Sequence, residues 1–203
     1  MFHQQFLPKK CMKYVKWSFA SNVFVSMQSA LSTDNMLNAI GDSGGYMTIN
    51  YIGKDIIGQA GGLLVMLQFS KKSDKEPKMF LNYSNVIQQS SFVILSATPL
   101  FPTNLFLPIA GTSNLLANIS FTGYGAINAK CIQQMSLENN IGIGELYSKI
   151  TILNTMASTI GLTLGVMLTS CIPDPIIRSF VVLPAIGILR TLTFNKAIED
   201  FLR

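Results

Sequence analysis

Apolar residues gather here into long runs, not into the period-two alternation of half-buried strands. A bilayer-spanning helix takes about 20 mostly apolar residues. Six segments approach that scale: residues 14–31, 46–69, 82–99, 104–121, 150–171 and 175–194. The fifth is the clearest. Asn22 and Gln28 interrupt the first, Lys54 and Asp55 the second, and Pro184 predicts a kink in the sixth. Turn-forming residues separate the runs: Asp42-Ser43-Gly44-Gly45, the charged loop from Lys71 to Lys78, Pro99 to Thr103, and Pro173-Asp174-Pro175. The mixed stretch 122–149 predicts a helical extension or a segment lying at a membrane interface. The pattern as a whole predicts an all-α fold, a polytopic transmembrane helical bundle of about six spans in a single membrane domain over residues 1–203.

Charge strengthens this reading. Only 12% of the residues are charged, about half the usual quarter. None lies between Met79 and Ala129, and none between Ile150 and Pro173. A water-exposed helix needs a polar face, whereas a charge at a bilayer centre costs several kcal/mol. Six spans place both termini on one side. That side then holds all of the 15 basic residues except Arg178, which falls opposite, and Lys54, which lies within a span. Such a bias is the positive-inside pattern, and it makes Arg190 an inside residue. It also accounts for the net charge of +5 without a nucleic-acid partner. The partners expected are the lipid bilayer and other proteins of a membrane complex.

Candidate chemistry is sparse. Gly41-Asp42-Ser43-Gly44-Gly45 matches the nucleophile motif of trypsin-like proteases, but the only histidine is His3, and such a triad needs a positioned base on paired β-barrels. A glycine-rich turn explains the match. No catalytic residue is assigned, and no enzyme activity, cofactor or metal site is expected. Cys11, Cys131 and Cys171 are far apart and predict apolar fillers. Lys54 and Asp55 are the exception, because ionisable groups within a span point to function. Adjacent helix positions do not face each other, so the two are expected to find different partners. With Asn114 they form the candidate polar membrane site. Asn114 and Asn118 share a helix face; they and Gln88-Gln89 predict interhelical hydrogen bonds, with a polar cavity lining as the alternative. Gly58 and the Gly161/Gly165 pair, with Ser158 one turn before, predict close helix packing.

These residues also carry a family resemblance. Phe6-Leu7-Pro8, Trp17 before a small-polar helix ending at Ile40-Gly41, and Lys54-Asp55 with Gly58 resemble the FLP opening and KDxxG motif of the root UV-B sensitive family, also called the vitamin B6 photoprotection and homeostasis domain. Pro99, Pro102, Asn114, Asn139-Asn140, Lys149 and Gly161 follow in comparable order, so the resemblance runs from Phe6 to Asn195. The chain departs from it at Gln88-Gln89, where the family has an Asn-Asp pair. It departs again near Gly125, where an Arg is missing, and at Gly142, where the family has an Asp. It stops where many members continue into a soluble part, the pattern of a divergent or reduced member. The resemblance implies a helical protein of organelle or internal membranes such as mitochondrion or plastid, with plant members linked to vitamin B6 homeostasis and auxin transport and no established catalytic mechanism.

The function expected is therefore a small-metabolite, vitamin B6-related homeostasis or transport role. The alternative is a non-catalytic structural subunit of a larger membrane complex. A soluble helical adaptor, the third reading, would be released from membranes by alkaline carbonate.

Overall fold

The computed structural model describes residues 7–8, 11–40, 50, 52–63 and 76–201. Among them every regular element is helical. The helices are α1 (Met12–Ile40), α2 (52–63), α3 (Pro77–Ser96), α4 (Phe106–Asn139), α5 (Ile143–Cys171) and α6 (Pro175–Ile198). Short 3-10 turns at Thr98–Leu100 and Thr103–Leu105 connect α3 to α4, in the place the prolines predicted. The mixed stretch resolves into the last turns of α4, an end at Asn140 in the left-handed conformation (φ 52°), and the first turns of α5. The Asp42–Gly45 turn, His3 and the loop 71–75 lie outside the described residues.

The contacts fix helix direction. Asn22 meets Asn154, Gly161 lies against Val23 and Ser26, and Gly165 lies against Met27 and Ala30, so α1 and α5 run parallel. Gln28–Gln89 and Asn35–Ser96 make α3 parallel to α1 as well. The Ser91–Ser113 and Asn85–Tyr124 pairs run α4 against α3. Gly58 sits on Asn114 and Gly62 on Asn118, so α2 follows α4. Lys13–Asp200, Gln28 to the Leu183 carbonyl and Arg178–Asp34 run α6 against α1. Odd-numbered helices thus point one way and even-numbered helices the other.

Polarity is distributed inside out. Ser18, Ser21, Gln28, Ser32, Asn35, Asn85, Gln88, Ser91 and Arg190 are buried, while Ile152, Met156, Ile160, Val166, Val181 and Ile188 are exposed. The large apolar core gathers at one end only, around Tyr14, Tyr124, Ile127, Met135, Leu146 and Ile198. On the exposed flank of α5, Thr155, Thr159 and Thr163 each donate to the carbonyl four residues back at 3.0 Å. Each hydroxyl thereby satisfies its donor without water.

Among the described residues, two helices are long and apolar enough to cross a membrane by themselves, α5 and α6. The expected six apolar spans shrink to two on this measure. α1, α3 and α4 have 29, 20 and 34 residues, long enough to span, but Ser, Asn and Gln residues among those they bury or carry lower the average. Of the expected span 46–69, the structure describes residue 50 and residues 52–63.

Pro184 lacks the N–H that would bond the Phe180 carbonyl. The chain meets it with a π-helical turn over Arg178–Val182, directly before the helical stretch that contains Pro184. Cys11 and Cys131 are buried fillers, but Cys171 is exposed at the end of α5, contrary to the expectation for it.

Candidate functional site

α2 lies along α4, and glycines set the spacing. A Cβ on Gly58 would stand 2.7 Å from the Asn114 amide, and one on Gly61 would stand 2.4 Å from Leu115. With no side chain there, Asn114 reaches across. Its Nδ2 donates to Asp55 Oδ1 at 2.8 Å and to the Lys54 carbonyl at 3.2 Å. Lys54 Nζ also donates to Asp55 Oδ1, at 2.6 Å. The two charges therefore pair with each other, correcting the expectation of different partners. The long lysine stem folds back far enough to overcome the divergence of adjacent helix positions. The Lys54 side chain is 10% exposed and that of Asp55 41%. Oδ1 thus takes both donors, and Oδ2 has no partner among the described residues. Lys54 and Asp55 balance each other in charge, and the half-exposed Asp55 keeps Oδ2 as a second acceptor. It can bind a polar or cationic group or exchange a proton, and it contains no nucleophile poised beside a base.

The other sequence candidates divide. Gly161 and Gly165 face α1, the first against the Val23 carbonyl and the second against Met27 and Ala30. Gln89 accepts from Gln28 at 2.6 Å, and Gly187 of α6 leaves room for that pair. The Gln88 side chain is buried and has no hydrogen-bond partner among the described residues. Asn118 donates back to the Asn114 carbonyl within its own helix, not across helices.

A second polar constellation escaped the sequence reading. Arg190, counted there as a residue of the inside face, is buried at 3% exposure between α3 and α4. It donates to Asn85 Oδ1 at 3.2 Å and to the Tyr124 hydroxyl, with its guanidinium 4.0 Å from the Tyr124 ring centre. The available signal was its position within the sixth run, four residues before that run ends. A cavity of about 380 Å³ lies between α1, α4 and α5, lined by Tyr14, Gly125, Asn128, Tyr147, Thr151 and Asn154 among others.

The class defined by this architecture is an all-helical bundle with a polar interior, an apolar exterior and an ion pair on a glycine-spaced helix seam. The chain belongs to the vitamin B6 photo-protection and homoeostasis domain family, whose model matches residues 2–199. Two curated relatives from Arabidopsis thaliana are similar. Root UVB sensitive 5 is 27% identical over 168 residues, 76% of this chain and 32% of the relative. Root UVB sensitive 3 is 25% identical over 157 residues, 75% of this chain and 35% of the relative. The chain thus spans about a third of the length of these relatives. No solved structure matches it.

Proposed function

We propose that this chain is a six-span, non-enzymatic protein of an organelle or internal membrane that handles or transports a small vitamin B6-related metabolite, with Lys54, Asp55 and Asn114 as its polar site. The observation that carries the reading is the inside-out distribution of polarity combined with strict alternation of helix direction. Water would not leave Ile160, Val166 and Ile188 outside while Gln28, Asn35 and Gln88 sit within. Lipid favours that arrangement, because helices there associate through small residues and interhelical hydrogen bonds. α4, about 51 Å long at 1.5 Å per residue, exceeds a hydrocarbon core of about 30 Å. Its last turns then project from the membrane with the ends of α1 and α6, where the apolar core lies.

The site supports metabolite handling because an ion pair inside a bundle is costly and persists where it serves a pathway. Lys54→Met removes the charge-assisted hydrogen bond to Asp55, and Asp55→Asn takes the charge from the bonds that Lys54 and Asn114 both donate to it; such bonds are worth roughly 1.5–3 kcal/mol each. Uptake of a labelled B6 vitamer into vesicles should fall about ten-fold or more. Unchanged uptake at normal protein level would sink the site assignment. The Gln88-Gln89 departure from the family pattern favours a second reading, a structural subunit of a larger complex. Blue-native migration far above the monomer mass, with stoichiometric partners, would select that one.

Topology has its own test. Burial pushes the Cys131 thiol up to about 12, and burial, with Glu138 as a smaller cause, raises Cys11. Both thiols are buried away from reagent, and the upward shift leaves less thiolate, the reactive form. A membrane-impermeant maleimide should therefore label Cys171 alone, and only from the face opposite the termini. Labelling from the terminal face would refute the six-span arrangement.

A further inference from the structure

We propose that Arg190, Tyr124, Asn85 and Gln88 form an oxyanion-binding site within the bundle, distinct from the Lys54–Asp55 pair, for the phosphate or carboxylate group of a ligand. Among the described residues two arginines are buried, both at 3% exposure. Arg178 is given a carboxylate, that of Asp34. Among the described residues no carboxylate reaches Arg190; its neighbours are the neutral Asn85 and Tyr124 and the ring of Phe194, 5.9 Å away. A buried cation is stable when paired, and a ring face offsets only part of its desolvation.

Hydrogen bonding points the same way. Tyr124 spends its one proton on Asn85 Oδ1, and its oxygen then accepts from Arg190. Asn85 Oδ1 is further occupied by Arg190 Nη1. Asn85 Oδ1 and the Tyr124 oxygen are thus engaged, while several N–H donors around them are not. Among the described residues, Arg190 Nε and Asn85 Nδ2 are buried without a partner. Gln88, 1% exposed and one turn along the same face of α3, leaves both side-chain atoms unpaired. A site with one positive charge and a surplus of N–H groups is complementary to an oxyanion, which supplies the charge and several acceptors together. A cation is repelled there, and water satisfies the donors but not the charge.

The test uses the full chain purified in detergent. Inorganic phosphate and acetate are titrated by calorimetry and by thermal midpoint, at ionic strength matched with sodium chloride. Saturable binding of either anion by the wild type supports the site. Gln88→Leu is the informative variant, since among the described residues Gln88 makes no hydrogen bond that the fold would lose. It should keep the anion-free midpoint and weaken binding ten-fold or more. Tyr124→Phe should weaken binding as well, and Arg190→Gln, if it folds, should abolish it. Lys54→Met should bind as the wild type does, which separates this site from the one proposed above. In phosphatidylcholine nanodiscs, a midpoint rise on adding phosphatidic acid that Gln88→Leu suppresses would identify a lipid headgroup as the source of the anion. The proposal is overturned if the wild type shows no saturable response to phosphate, acetate or phosphatidic acid. Equal binding by wild type, Gln88→Leu and Tyr124→Phe overturns it too.

Discussion

Gly161→Ala should destabilise the protein by about 3 kcal/mol, the upper range for overpacking a tight contact, although a single methyl is added. A Cβ at this position would stand 2.3 Å from the Val23 carbonyl oxygen and 2.7 Å from Ser26 Cβ. The carbonyl is helix backbone, so a rotamer change cannot relieve the clash and α1 must move away from α5. Separation would be felt along the whole seam, because Asn22–Asn154 and the Gly165 contact with Met27 and Ala30 depend on the same spacing. Gly165→Ala meets Ala30 Cβ at 2.6 Å and should fall in the same class. Gly125→Ala is the control, since nothing lies within 4 Å of its Cβ. It should change the thermal midpoint little. Fluorescence-detected gel filtration of the three variants in detergent measures the order. Wild-type behaviour of Gly161→Ala would show that α1 and α5 do not pack as described.

This seam was legible in the sequence because Gly161 and Gly165 form a spacing with a direct geometric meaning. So were the long uncharged runs and the breaks between them, since the absence of charge over a helix-length stretch has few physical explanations. The Lys54–Asp55 pair was half legible. Two charges in an apolar run mark a site, but neighbouring positions on a helix point apart, and nothing local reveals that Asn114 comes across a gap left by Gly58 to hold Asp55. Arg190 was misread for a related reason. A basic residue near the end of an apolar run normally reaches the interface, and its burial depends on partners from α3 and α4 far away in the chain. The pattern measures how apolar a segment is, not which way its few polar residues turn. In this bundle they turn inward, so the very residues that lower the hydropathy of α1 and α3 are the ones that join them. Gln28–Gln89 and Asn35–Ser96 are examples.

Asp34→Ala should be the more damaging of two substitutions in the same ion pair, by about 2 kcal/mol. Arg178 is 3% exposed, and it donates to Asp34 and, at 3.5 Å, to the Pro173 carbonyl. The Asp34 side chain is 40% exposed. Removing the carboxylate strands a buried guanidinium whose Nε already lacks a partner, and breaking a buried pair in this way costs about 3–5 kcal/mol. Partial exposure of Asp34 places the expected loss near the lower limit, about 3 kcal/mol. Arg178→Met leaves instead a carboxylate that can turn to solvent or headgroups, at a cost of about 1 kcal/mol, the scale of a half-exposed pair. The double variant Asp34→Ala/Arg178→Met should then recover most of the loss, because it buries no charge. Equilibrium unfolding of the three variants closes the cycle. Additive losses would mean that the two side chains do not interact. The pair sits beside the Asn35–Ser96–Ser179 network that ties α1, α3 and α6 together at this end. Thiol labelling of Cys171, a few residues before Arg178 in the chain, should therefore accelerate in Asp34→Ala and return toward the wild-type rate in the double variant. That recovery separates a local charge imbalance from general unfolding.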